Sequence, residues 1–186
     1  ATDGELNAWQ ELWNKSRAHQ ANPSNANFFQ MMGLAADGVT PTSDPVLLDD
    51  DNLIDYLLLS FWSGNFDGCT SEFLGENNAN NWFGSRRRIG NTRAGFQFYP
   101  HDFEHSFFDV NKDRTGPFGS ANQASFPHSN PYFLHLDLLA NAEYRIRWAD
   151  RVQKHMFGQG ALTSQQWINR VNKIATVVDQ TIAAES

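Results

Sequence analysis

Residues 52–62, NLIDYLLLSFW, constrain the chain more than any other stretch. Wound as a helix, they place Leu53, Ile54, Tyr56, Leu57, Leu58, Leu59, Phe61 and Trp62 nearly all the way round, and a helix with no polar face has to be enclosed by other elements. The run is too short for the roughly 20 apolar residues of a membrane span, so no such span is read. Asp49, Asp50 and Asp51 precede it, where acids suit the positive end of the helix macrodipole. Ser63, Gly64 and Asn65 end it.

The rest of the chain supplies enough apolar material to surround such a helix. Of 186 residues, 40% are hydrophobic and 13% aromatic, with 15 Phe and 6 Trp, a composition that needs burial and excludes a disordered tail. Net charge is −7, so no broad basic face meets phosphates and nucleic acid is not an expected partner. The one basic run, Arg86, Arg87 and Arg88, reads as a solvated strand face. Cys69 stands alone, which excludes an intrachain disulfide and a cysteine-based zinc site. No signal-peptide pattern is read at Ala1.

Leu6, Trp9 and Trp13 recur at three- and four-residue spacing and predict a first helix with the tryptophans in the core. A short segment, 28–34, and a loop, 38–45, follow. Beyond the apolar helix lies a polar stretch, 66–81, then two short strands, 82–89 and 95–99, with a turn at Gly90-Asn91. Residues 107–128 read as loop. Asn130-Pro131 starts one helix and Asn141 another, which carries Tyr144, Trp148, Val152 and Met156. Thr163 and Gln166 form a T-x-x-Q capping box for a last helix whose buried stripe is Trp167, Val171, Ile174, Val178 and Ile182. The expected fold class is mainly α with a small β-hairpin, as a single domain over 1–186.

The order of the parts carries chemistry. A buried helix runs into a loop with Asp67; Asn80 and Asn81 follow; two strands come next, and the second ends at Asp102. Phosphoryl transfer by a kinase needs one carboxylate to orient the attacking hydroxyl, and an asparagine and a second carboxylate to hold magnesium on the phosphates. Oxygen donors of this kind suit Mg²⁺ or Mn²⁺. The stretches DDDNLIDYLLLSFWSGNFD, NNWFGSRRR, GFQFYPHDFEHSF and NAEYRIRWADRVQKHMFGQGALT resemble the CotH kinase family, atypical kinases named after a spore-coat protein. In that family a D-x-x-N-x-x-x-Y helix leads into a G-N-x-D segment and an asparagine pair, and a strand ends in W-D-x-D or W-D-x-E.

The resemblance covers the chain from about Leu47, with residues 1–46 as a helical lead-in. It implies a kinase C-lobe-like domain in which Asp67 is the catalytic aspartate. Asn81 is the magnesium-binding asparagine, with Asn80 its alternate. Asp102 is the main metal carboxylate, and Glu104 a second acid beside it. It implies Mg-ATP as cofactor, a protein hydroxyl as acceptor, and an extracellular or cell-envelope location within a longer bacterial protein. Gly68 and His101 stand where the family often has Trp. No glycine-rich loop or strand lysine precedes Asp49, so the expectation is a fragment lacking its N-lobe and inactive alone. The alternative is a non-catalytic structural or interaction module of a secreted or surface protein.

Two other metal readings arise. His101, Glu104 and His105 spell H-x-x-E-H, the inverted zinc-peptidase motif, which requires a helix from Pro100 and a third ligand such as Glu143 or Glu185. The strand before it fits the kinase order better, so zinc is the minor reading. Asp109, Asn111 and Asp113 open like a calcium loop, but Arg114 replaces the glycine needed at the sixth position and Ser120 the acid needed at the twelfth.

Overall fold

The structure, a computed structural model, describes residues 5–75, 78–87, 94–116 and 125–185, the last three by backbone alone. Its elements are α1 (Asn7–Ala21), α2 (Asn25–Gln30), α3 (Asp50–Trp62), β1 (Trp82–Ser85), β2 (Gln97–Pro100), a 3₁₀ turn (Phe126–His128), α4 (Pro131–Leu138), α5 (Ala142–Met156) and α6 (Ser164–Glu185). The class is the expected one, mainly helical with one small antiparallel sheet. No helix among the described residues is long and apolar enough to cross a membrane. The chain divides into two compact units at the Arg147–Trp148 junction, inside α5.

In the first unit α3 is enclosed as its composition requires: Leu53, Ile54 and Leu57 are fully buried. Asp49 caps the helix, its carboxylate accepting from the Asn52 N–H at 3.0 Å. Asp50 does more than face the macrodipole; it is buried and paired with Arg147 at 2.9 Å. Trp9 and Trp13 of α1 are core residues, whereas Leu6 is the exposed residue before the helix. Trp9 stands against Trp82, Phe96 and Phe98, and Trp13 against Phe133 of α4. Ser16 and Arg17 of α1 both donate to the buried Asp137 of α4. Asn130 caps α4 through the Phe133 N–H, and Asn141 caps α5 through the N–H groups of Glu143 and Tyr144.

The D-x-x-N-x-x-x-Y residues tie α3 to the sheet. Asn52 Oδ1 accepts from the Phe98 N–H at 2.5 Å and its amide donates to the Phe98 carbonyl at 3.4 Å. Gln97 donates to the other oxygen of the capping Asp49. Ahead of β2 the backbone runs against residues 47–49, with Phe96 N–H on the Leu47 carbonyl at 2.7 Å. Gly95 permits that approach: a Cβ there would sit 2.1 Å from the Leu48 carbonyl carbon and 2.4 Å from the Asp49 nitrogen.

Several expectations are corrected. The first strand stops at Ser85, where the next side chain, Arg86, turns to donate to the Val46 carbonyl at 2.8 Å rather than to solvent. Arg87 is exposed, while Arg88, Ile89, Gly90-Asn91 and Ser120 lie outside the described residues.

In the second unit, Thr163 does not form a capping box: its hydroxyl donates back to the Gly160 carbonyl, and Gln166 bonds Gln159. The stripe on α6 is not buried. Val171, Ile174, Val178 and Ile182 are 44% to 64% exposed. A helical period reports that one face is apolar and says nothing about what covers it.

Candidate functional site

The ladder pairs Trp82 with Pro100 and Ser85 with Gln97. In an antiparallel pair the residues leading into one strand meet those leaving the other. Asn80 and Asn81 precede β1; His101 and Asp102 follow β2. The sheet therefore brings them together, and the His101 N–H donates to the Asn81 carbonyl at 3.0 Å.

Asp67 arrives from the loop after α3. Its backbone N–H donates to Asn65 Oδ1 at 3.0 Å, a turn made by an asparagine two residues upstream. Its carboxylate is 7% exposed for the residue as a whole and accepts three hydrogen bonds. The Ser71 hydroxyl donates to Oδ1 at 2.5 Å; the side-chain amides of Asn80 and Asn81 each donate to Oδ2 at 3.0 Å. The Asn80 N–H also donates to the Gly68 carbonyl. Asp67 and Asn81, fourteen positions apart in sequence, thus meet.

Asn81 spans the gap to the second strand, its amide lying 3.4 Å from the Asp102 carbonyl oxygen as well. Asn81 and Asp102 both hold left-handed backbone, at φ 44° and 50°. Non-glycine residues adopt this region at some cost, which is tolerated where the surroundings fix it. Asp102 is exposed. Glu104 is exposed too, its carboxylate 3.3 Å from His105 Nε2, and none of its described contacts joins it to Asn81 or Asp67.

The stretch after Pro100 is not a helix. Pro100 closes β2 and residues 101–105 bend and turn, so the scaffold of an inverted zinc-peptidase motif does not form. His101 stands edge-on to Phe83, and His105 lies against Phe73 and Phe108. Glu143 lies 3.9 Å from Arg147 in the first turn of α5. Among the described residues no group of three or more His, Cys, Asp and Glu side chains gathers as a metal would need. Asp109 and Asp113 each fold onto their own downstream N–H groups, at Asn111 and Thr115, as loop acids do.

Cys69 is buried, which pushes its thiol up to about 12. Burial, with the Cys69 thiol beside it, lifts the Tyr56 hydroxyl well above its usual range. Asn65, the asparagine of the G-N-x-D segment, makes the turn into Asp67 that its Asn-x-Asp spacing favours. Ser71 lies in no motif of the sequence.

A family model described as CotH kinase protein matches residues 5–186. The match takes in α1 and α2, ahead of the Leu47 start expected from the motifs. No curated protein and no solved structure matches the chain.

Proposed function

Because the chain belongs to the CotH kinase family, we propose that Asp67, Asn80, Asn81 and Asp102 form the phosphoryl-transfer centre of a kinase-like transferase. The observation that carries this reading is the Asn81 amide, 3.0 Å from the Asp67 carboxylate and 3.4 Å from the Asp102 carbonyl, which joins loop and strand end at one point.

Asp67 is the group that orients and deprotonates the attacking hydroxyl. An ionised carboxylate has about four acceptor positions. Three are filled by Ser71, Asn80 and Asn81, which leaves one for a substrate O–H. Because both asparagines spend their NH₂ groups on Asp67, their amide oxygens are left for a cation, and the exposed Asp102 carboxylate adds a charged oxygen. That donor set fits Mg²⁺ or Mn²⁺ and not zinc. Metal-bound ATP would supply the phosphoryl group and the neutralisation of its charge. Glu104, engaged with His105, is a reserve acid in this scheme. The acceptor is a protein hydroxyl, and the setting an extracellular or envelope protein of which this domain is a part.

A second reading draws on the same carboxylate. An aspartate holding three internal donors also serves as a plain structural hub, which would suit a binding module without transferase activity. Manganese titration separates the two. Asp102→Ala should abolish Mn²⁺ binding, while His101→Ala and His105→Ala leave it intact. Absence of Mn²⁺ binding in the parent would leave the structural module, and tight zinc binding lost in either histidine variant would overturn the oxygen-ligand scheme.

A further inference from the structure

We propose that Arg114 is the positioning residue for Asp67, a brace that fixes the loop 65–72 from outside. The proposal rests on the reading of Asp67 as proton acceptor. Arg114 is 49 residues from Asn65 in sequence, yet its side chain is 2% exposed and lies against that loop. Nε donates to the Asn65 carbonyl at 3.2 Å, and one terminal nitrogen donates to the Thr70 carbonyl at 2.6 Å and approaches the Thr70 hydroxyl at 3.3 Å. The other donates to Glu72 Oε1 at 2.7 Å.

These acceptors flank Asp67 on both sides, two residues before it and three and five after. The loop's own bonds cross inside that span: Asn65 to the Asp67 N–H, Asp67 to Ser71, and the Glu72 N–H to the Phe66 carbonyl at 2.8 Å. The guanidinium therefore ties together the two ends of the segment that carries Asp67. Only a planar fork with five donors reaches backbone carbonyls and a carboxylate in different directions at once; an ammonium is a point charge and cannot. Glu72 balances the buried charge and is shared with Lys112 at 2.5 Å. The arginine that spoils a calcium-loop reading of residues 109–120 thus has a use of its own.

The test uses Arg114→Lys and Arg114→Gln, with Lys112→Ala as a control that removes the exposed partner of Glu72. The first readout is proton exchange of the Asn80 and Asn81 side-chain amides, which point at Asp67, followed by NMR. The reference is the Asn141 side-chain amide, which donates to Asn25 at 3.2 Å within the same unit. Exchange at Asn80 and Asn81 should quicken at least tenfold in both Arg114 variants, with Asn141 and the Lys112→Ala protein unchanged. The second readout is phosphoryl transfer in the full natural chain, where kcat should fall at least tenfold with KM for ATP within about twofold. Unchanged exchange at Asn80 and Asn81, equal quickening at Asn141, or quickened exchange with kcat intact would each overturn the proposal. A parent that transfers no phosphate refutes the transferase reading instead, and the exchange measurement still decides whether Arg114 braces the loop.

Discussion

Asn52 holds Phe98 by both of its backbone groups, taking the N–H at 2.5 Å and giving its amide to the carbonyl at 3.4 Å. One side chain of the enclosed helix therefore fixes the height of β2, four residues before Asp102. Asn52→Ala leaves both groups of a buried residue without that partner, at about 1–3 kcal/mol. Asn52→Asp keeps the acceptor, loses the donor and should fall between. Denaturant unfolding gives the order; an Asn52→Ala protein as stable as the parent would mean that the clip is ornamental.

Gly95 marks a tighter constraint. Its Cβ would enter the backbone of Leu48 and Asp49, neither of which can turn aside as a side chain would. Gly95→Ala should cost about 2 kcal/mol or more by overpacking. Gly64 has a positive φ of 59° and open space around it, so Gly64→Ala should cost only about 1–2 kcal/mol in backbone strain. Thermal unfolding of the two variants compares them directly, and the expected order is reversed only if residues 95–96 can leave residues 47–49 without loss.

Asp67→Asn and Asp67→Ala should part company. An amide can turn its oxygen to Asn80 and Asn81 and its NH₂ to the Ser71 hydroxyl, which can rotate to accept. Stability should then change by less than about 1 kcal/mol. Alanine leaves three donors unanswered and costs roughly 1–3 kcal/mol. Phosphoryl transfer should fall by about 10²–10⁴ in either case, the usual worth of a general base. Retention of transfer in Asp67→Asn would remove Asp67 from the chemistry.

Acid should weaken the fold through His135. The ring is buried beside Phe61 and Tyr132, with Nδ1 2.9 Å from the Tyr144 hydroxyl, and burial lowers its pKa to about 4. In the unfolded chain it takes a proton near 6.5. Between those values the unfolded chain binds more protons, so this contribution is complete above pH 6.5. It is lost as pH falls toward 4, by up to about 3 kcal/mol. His19, also lowered by burial, acts in the same direction. Asp137 opposes it, since burial outweighs the pull of Arg17 and raises that carboxyl to about 6. The test is the difference between parent and His135→Gln: the variant's stability should depend on pH by about one proton less between pH 4 and 6.5. Parallel profiles would place the acid sensitivity elsewhere.

Local rules made much of this legible. Asp49, Asn130 and Asn141 cap helices because a short polar side chain before an apolar run has few other uses. Asn80–Asn81 and His101–Asp102 meet because antiparallel pairing makes neighbours of a strand's entry and its partner's exit. The contacts that sequence order does not encode were not legible. Arg114 reaches back 49 residues, and Asp50 pairs with an arginine 97 residues away. Thr163 has the spacing of a capping box, but its hydroxyl found a nearer carbonyl at Gly160. Hydrophobic period located α6 and could not say whether its face is covered.

The position of Cys69 turns the Asp67 loop into something that keeps its own time. The chain's single thiol sits two residues beyond the aspartate, 2% exposed, with its pKa pushed up to about 12. At neutral pH almost no thiolate exists there for an alkylating reagent to meet. Iodoacetamide can reach it only through openings of the loop, so with one thiol in the chain the modification rate counts those openings without any introduced label. Ligands that settle into the loop should slow that clock, whatever chemistry they undergo.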